Sequence, residues 1–208
     1  MRVLITGISG FIGSHLAEYL SSNLNQSQLY GLIRPRSSLA NLKKVSSQVR
    51  YYTADLMEFT SLLSPLDEIR PDLIFHLAGQ TAPSFSWSLP ARTVEVNLIG
   101  TINLLEAIKE LRLNPRLVIA GAGEAYGLAS ADELPMKENS LFRPLNPFGV
   151  SKAAQDLLGF QYFKSHNLKI IRARLFSTIG PRQPEYYFIS SLAKQIAEIE
   201  KKKKEPII

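Results

Sequence analysis

The chain has 208 residues, 45% apolar and 20% charged, enough for one well-filled core and at odds with a disordered segment. It contains no cysteine, which excludes disulfide scaffolds, thiol catalysis and zinc–thiolate sites, and no apolar run of the roughly 18 residues that a membrane-spanning helix needs. The net charge of +6 would suit a polyanion, but Lys201 to Lys204, offset by Glu205, hold half of it at one end, as in a solvated tail, so nucleic acid is not expected as a partner.

In chain order, Met1–Gly7 turns polar too early for a secretory signal, so the expected compartment is the cytoplasm. Within it, Arg2–Thr6 is a short, nearly continuous apolar run, the pattern of a parallel strand buried on both faces. Ser14–Ser22 then carries apolar residues at helical spacing. Strand-like runs recur at Leu29–Ile33, Val49–Tyr52, Leu73–Leu77, Arg116–Ala120 and Lys169–Ala173. Helical spacing recurs at Ser61–Ile69, Asn97–Leu111 and Ser151–Ser165. This alternation predicts an α/β fold, a doubly wound parallel sheet with helices on both faces, over residues 1–185. Ser190–Lys202 reads as one more helix, and Pro206–Ile208 as the start of a further element, so 186–208 is expected to open a second, truncated portion.

The first strand runs into Thr6-Gly7-Ile8-Ser9-Gly10-Phe11-Ile12-Gly13, with three glycines spaced by three at a strand-to-helix turn. Gly7 permits the tight turn, Gly10 lets backbone approach a pyrophosphate, and Gly13 lets the helix pack against the sheet. The helix N-terminus then faces the phosphates, which makes this a Rossmann-type dinucleotide site. An acid after the second strand would accept the ribose 2′-hydroxyl of NAD, but this chain has Arg34, Pro35 and Arg36 there. Two guanidiniums suit a 2′-phosphate, so the expected cofactor is NADP, with NAD less favoured. Asp55 follows the third strand, where it can accept from the adenine amino group. Ala78 and Gly79 follow the fourth, where small residues let a cofactor lie flat over the sheet.

On these residues the chain resembles the extended short-chain dehydrogenase/reductases, within the NAD(P)-dependent epimerase/dehydratase family. It is most similar to the GDP-mannose 4,6-dehydratase and GDP-4-dehydro-6-deoxymannose reductase branch. The resemblance runs from position 6 to 183, through Thr6–Leu16, Ile33–Ser38, Asp55-Leu56, His76–Gln80, Val96–Thr101, Glu124–Gly127, Asn146–Lys152 and Gly180–Gln183. It implies a Rossmann domain whose cofactor contacts include Phe11, Ile12, Leu56, Leu77, Asn97 and Lys152. It also implies a smaller C-terminal substrate domain, most of it beyond Ile208, with Gln80, Glu124, Ser177 and Arg182 toward a GDP-sugar. A homodimer through a four-helix interface, built from Asn97–Leu111 and Ser151–Ser165, follows from the same resemblance.

The family's chemistry is hydride transfer at sugar C4, with a Tyr and a Lys four residues apart and a nearby Ser or Thr handling the C4 proton. Lys152 is in place, with Ser151 beside it, but the Tyr position holds Phe148 and the Ser/Thr position holds Ala122. Ser177 stands where relatives carry Asn. Losing two hydroxyls spares the fold and removes general acid–base help typically worth about 10²–10⁴-fold. The expectation is an intact cofactor site with weakened hydride chemistry, in a homologue that lost or rerouted catalysis or in a chain deliberately disabled. The alternative is a non-catalytic dinucleotide-binding module. Glu124 is either the carboxylate that in dehydratases moves the C5 proton or a salt-bridged loop residue. Asn97 reads as a helix N-cap; the resemblance implies that it supports the lysine through a water, and the two roles can coexist. Trp87 and Phe85 either line a sugar pocket or pack. His76 ends a strand with no second ligand at useful spacing, so no metal is expected.

Overall fold

A computed structural model describes residues 1–24, 27–201, 203 and 205. Six strands form one parallel sheet: β1 Arg2–Thr6, β2 Gln28–Ile33, β3 Val49–Thr53, β4 Leu73–His76, β5 Arg116–Ala122 and β6 Lys169–Leu175, in the order β3-β2-β1-β4-β5-β6. Val3, Leu4 and Ile5 are all fully buried, because both faces of the central strand are covered. Their side chains alternate. Val3 and Ile5 pack with Ala17 and Leu20 of helix α1 (Phe11–Asn23), and with Leu42 and Val45. Leu4, with Ile74 and Leu117, packs on the other face against Leu62, Leu66 and Ile69 of α2 (Phe59–Ile69).

Two short helices follow β4, α3 Pro83–Ser88 and α4 Pro90–Val94. Phe85 and Trp87 lie on the first of them. A π-helical turn, Glu95–Ile99, then leads into α5 (Gly100–Glu110), whose Leu104, Leu105 and Ile108 fill the same core. Asn97 therefore sits inside a helical turn and is not an N-cap. α6 (Pro147–His166) starts at Asn146, whose Oδ1 accepts from Gly149 N–H at 2.7 Å. β6 departs from the buried reading of Lys169–Ala173: it is the sheet edge, and Lys169, Ile171 and Arg172 are exposed.

The sequence order reverses between β1 and β4, where Thr6 and His76 are register partners. The crevice beyond the carboxyl ends of these two strands is where open α/β sheets take ligands. Contacts divide the chain into two compact units, Met1–Phe176 and Ser177–Ile208. The second carries α7 (Phe188–Glu200), with Ser190 Oγ donating to Gln183 Oε1 at 3.0 Å and Lys194 paired with Glu185. Lys202, Lys204 and Pro206–Ile208, read above as tail and unfinished element, lie outside the described residues.

Candidate active site

The glycine turn is built by contact. Gly7 has φ +72°, and a Cβ there would lie 2.7 Å from Ala78 N. At Gly13 a Cβ would lie 2.3 Å from Gly7 O, so α1 presses directly onto the turn. Gly10 differs. A Cβ there would meet only Gly7 O, at 3.2 Å, so the exposed residue that opens α1 presents bare backbone on an open side. Phe11 and Ile12 follow in the first turn of the helix, with Phe11 edge-on to His15. That backbone fits an anionic group held by N–H donors.

Arg34 and Arg36 are exposed on the turn after β2, closed by Ser37 N–H to Arg34 O at 3.1 Å. Asn41 Nδ2 donates to Ser9 O at 3.1 Å, tying this segment to the glycine turn. Asp55 Oδ1 accepts from Met57 N–H at 3.0 Å, so one carboxylate oxygen shapes its own turn. Leu56 O accepts from Asn103 Nδ2 at 2.7 Å. Across the crevice, Leu77 N–H and Ala78 N–H donate to Thr6 O and Thr6 Oγ1, both at 3.2 Å.

Asn97 clamps the next residue of that loop. Its Oδ1 accepts from Gln80 N–H at 2.8 Å, and its Nδ2 donates to Gln80 O at 3.0 Å and Ser151 Oγ at 2.8 Å. A Cβ on Gly79 would fall 2.7 Å from Asn97 Oδ1 and 3.8 Å from Lys152 Nζ, so only glycine fits under the clamp. The Gln80 side chain accepts from Ala82 N–H at 3.1 Å, at the start of α3.

Lys152 is buried, and its Nζ donates to Ala120 O and Gln155 Oε1, each at 2.8 Å. Burial lowers its pKa to about 8, opposed by the charge of Glu124. Gln155 Nε2 donates to Thr101 Oγ1 at 2.6 Å, Thr101 Oγ1 meets His76 Nε2 at 2.9 Å, and His76 Nδ1 meets Thr6 Oγ1 at 2.8 Å. Burial first, then the Lys152 charge, lowers the His76 pKa to about 3, so this imidazole is neutral. Among the described residues no group of three or more His, Asp or Glu side chains gathers as a metal site.

Ala122, at the end of β5, and Phe148, in the first turn of α6, are both buried. Glu124 is exposed on the 3-10 turn Gly123–Ala125. A Cβ on Gly149 would lie 2.5 Å from Glu124 O, so the start of α6 is pressed against that turn. Ala122, Glu124, Phe148 and Lys152 therefore converge where β5 meets α6. The Tyr126 hydroxyl is occupied elsewhere, donating to Lys137 O at 2.9 Å and accepting from Arg174 Nη1 at 2.7 Å. Arg174 in turn is held by Asp156, with Nε 2.8 Å from Oδ2. Ser177 and Arg182 belong to the second unit, where Gln183 N–H donates to Gly180 O at 3.2 Å.

Sequence reasoning missed the partners beneath Lys152. Thr6 ends an apolar run, while Thr101 and Gln155 lie in helical segments among other polar residues, and all three are within 1% of full burial. Polar groups at that depth must be partnered, but no local pattern marks which residue meets which.

The family model of GDP-mannose 4,6 dehydratase matches residues 4–208. The chain is 35% identical over 198 residues to the GDP-6-deoxy-D-mannose reductase of Pseudomonas aeruginosa, covering 95% of this chain and 59% of that protein. It is 32% identical over 208 residues to a GDP-mannose 4,6-dehydratase of Vibrio cholerae, covering 94% of this chain and 54% of that one. The chain thus spans less than two thirds of the curated relatives it matches. Among solved structures, RMD from Pseudomonas aeruginosa complexed with NADPH superposes with TM-score 0.82 at 34% identity, covering 99% of this chain and 64% of that one. A dTDP-glucose 4,6-dehydratase from Streptomyces venezuelae with NAD bound superposes with TM-score 0.85 at 26% identity, covering 95% and 62%.

Proposed function

The chain belongs to the GDP-mannose 4,6-dehydratase family, and on that premise we propose that it binds NADP and acts on a GDP-6-deoxyhexose as a dehydratase or reductase with weakened hydride chemistry. The observation that carries this reading is the convergence of a buried, doubly anchored Lys152 with Glu124 at a place where positions 122 and 148 carry no hydroxyl. Gly7, Gly10 and Gly13 would hold the pyrophosphate against the first turn of α1. Arg34 and Arg36 would take the 2′-phosphate, Asp55 and Leu56 the adenine side, and Leu77 to Gly79 the face over the sheet. NADP supplies hydride acceptance and donation at sugar C4.

The chain's own residues divide the remaining work. Asn97 fixes the Gln80 backbone and Ser151, and so shapes the wall between loop and helix. Lys152 would offer its positive charge to the nicotinamide ribose, its hydrogen bonds directed by Ala120 O and Gln155. Glu124, the carboxylate whose charge reaches this lysine, is assigned to the sugar C5 proton, with Gln80 as a sugar-nucleotide contact. The C4 oxygen then lacks a proton partner, because Phe148 and Ala122 offer none. In the assembled protein, α5 and α6 would pair with their copies in a dimer; Val150, Leu157 and Phe160 are exposed on α6.

A second reading rests on the same two missing hydroxyls: a dinucleotide-binding module without catalysis. One experiment separates them. NADPH, then NADH, is titrated by fluorescence into the wild type, Arg34→Ser/Arg36→Ser and Phe148→Tyr/Ala122→Ser. The expected result is NADPH preferred about tenfold in the wild type and lost selectivity in the arginine variant. The hydroxyl variant should gain about 10²-fold or more in turnover of GDP-4-dehydro-6-deoxymannose or GDP-mannose. Undiminished NADPH binding with no gain in turnover selects the non-catalytic reading, and no binding of either nucleotide refutes both.

A further inference from the structure

We propose that Gln155, braced through Thr101 and His76, is the positioning residue for Lys152, directing its ammonium toward the cofactor side of the crevice. The inference rests on the reading above that Lys152 faces the cofactor, and it concerns residues for which that reading assigns no role.

Lys152 Nζ can only donate, which sets the direction of the hydrogen bonds beneath it. Thr101 has a single hydroxyl hydrogen, and it goes to Asn97 O, 2.7 Å away. Thr101 Oγ1 can therefore only accept from its two remaining neighbours, Gln155 Nε2 and His76 Nε2. With that hydrogen on Asn97 O, His76 is the Nε2–H tautomer, and its Nδ1 accepts from Thr6 Oγ1, which itself accepts from Ala78 N–H. The same placement fixes the Gln155 amide. Flipped, its NH₂ would confront Lys152 Nζ and its carbonyl would face an oxygen with no hydrogen left to give. Gln155 Oε1 must point at Lys152.

Every member is out of water. Gln155 and Thr101 are fully buried, and His76 and Thr6 are 1% exposed. A half-satisfied network at this depth is costly, so the members hold one another in place. Two of the three Lys152 N–H groups are then taken from below by Ala120 O and Gln155 Oε1. Among the described residues no protein acceptor takes the third. Gly79 lies over Nζ without a side chain, which leaves room on that side. The charges facing Lys152 are Glu124, which favours its protonated form, and neutral His76, which would oppose it only if protonated.

Removing the Gln155 carbonyl takes away one of two bonds to the charged form and leaves only Ala120 O and the Glu124 charge to oppose burial. Gln155→Met should therefore lower the Lys152 titration midpoint from about 8 by about one pH unit. Gln155→Glu keeps an acceptor, adds a charge and should raise it by about as much. The midpoint is read in cofactor-free protein from the ¹³Cε resonance of labelled lysine, assigned by its loss in Lys152→Arg. NADPH affinity is measured beside it across pH 6–10. The expected result is opposite movement of the resonance midpoint in the two variants, with the alkaline loss of NADPH affinity moving the same way. Overturning results are an unmoved midpoint in both variants, or movement in the same direction. If Gln155→Met does not fold, the alkaline shift in Gln155→Glu decides alone. If the resonance moves as expected while wild type binds no NADPH, the positioning role of Gln155 stands and the cofactor reading falls.

Discussion

His76 ties stability to acid pH, and the size of the effect can be worked from its surroundings. The ring is buried between Thr6 and Thr101, and burial with the nearby Lys152 charge brings its pKa from 6.5 to about 3. Folded protein therefore keeps His76 neutral while the unfolded chain takes up a proton below pH 6.5. The unfolded state binds more protons throughout that window, so stability is complete above pH 6.5 and is lost as pH falls toward 3. Between pH 7 and pH 5 this single group costs about 2 kcal/mol, at about 1.4 kcal/mol per unit below 6.5. For a domain of this size that is a fall in Tm of about 4–8 °C. The assay is thermal unfolding at pH 7, 6 and 5 for the wild type and His76→Gln. Surface carboxylates contribute alike to both, so the difference between the two slopes isolates His76. Parallel Tm curves for the two proteins over pH 5–7 would refute the argument.

Two further outcomes test other parts of the molecule. Gly13→Ala puts a methyl 2.3 Å from Gly7 O and 2.8 Å from Ile8 Cα, so it should cost about 1–3 kcal/mol by denaturant unfolding, whereas Gly10→Ala, with one contact at 3.2 Å, should lower the midpoint much less and lose NADPH affinity. The proposed dimer predicts twice the chain mass by light scattering, with Leu157→Glu shifting it to monomer.

The strands and the glycine turn were legible because each is a local pattern. A run of apolar residues such as Arg2–Thr6 needs no partner to be recognised, and Gly7, Gly10 and Gly13 are read from spacing alone. β6 misled because Lys169–Ala173 has the composition of its neighbours while lying at the sheet edge; composition reports a strand, and only topology reports its place. The helices α3 and α4 were hidden by Pro83 and Pro90, which stand at their N-terminal positions and read equally as breakers. The N-cap reading of Asn97 failed for a related reason. Asparagine before an apolar helix suggests a cap, but the helical path begins earlier, and its amide clamps Gln80 17 residues away. The network under Lys152 joins positions 54 and 25 residues apart in sequence, a pairing that no local pattern encodes.

The same geometry explains why two hydroxyls can be lost without the rest of the site following. The glycine turn depends on backbone contacts to Ala78 and within itself. The Gln80 loop depends on Asn97, and Asn97 leans on Ser151, whose hydroxyl donates to the backbone oxygen of residue 148 and not to the side chain at 148 or 122. Lys152 takes its bonds from Ala120 O and Gln155 and none from the neighbouring ring of Phe148. Phe148 and Ala122 fill their places as buried apolar side chains, and among the described residues no buried side-chain N or O there lacks a partner. Binding and proton transfer are thus carried by different bonds in this fold. In the proposed function, the first set is whole and the second is confined to Glu124 and Lys152. Restoring Tyr and Ser adds two hydroxyls to a lysine already oriented from below, so recovery of turnover need not wait on repair of the cofactor site.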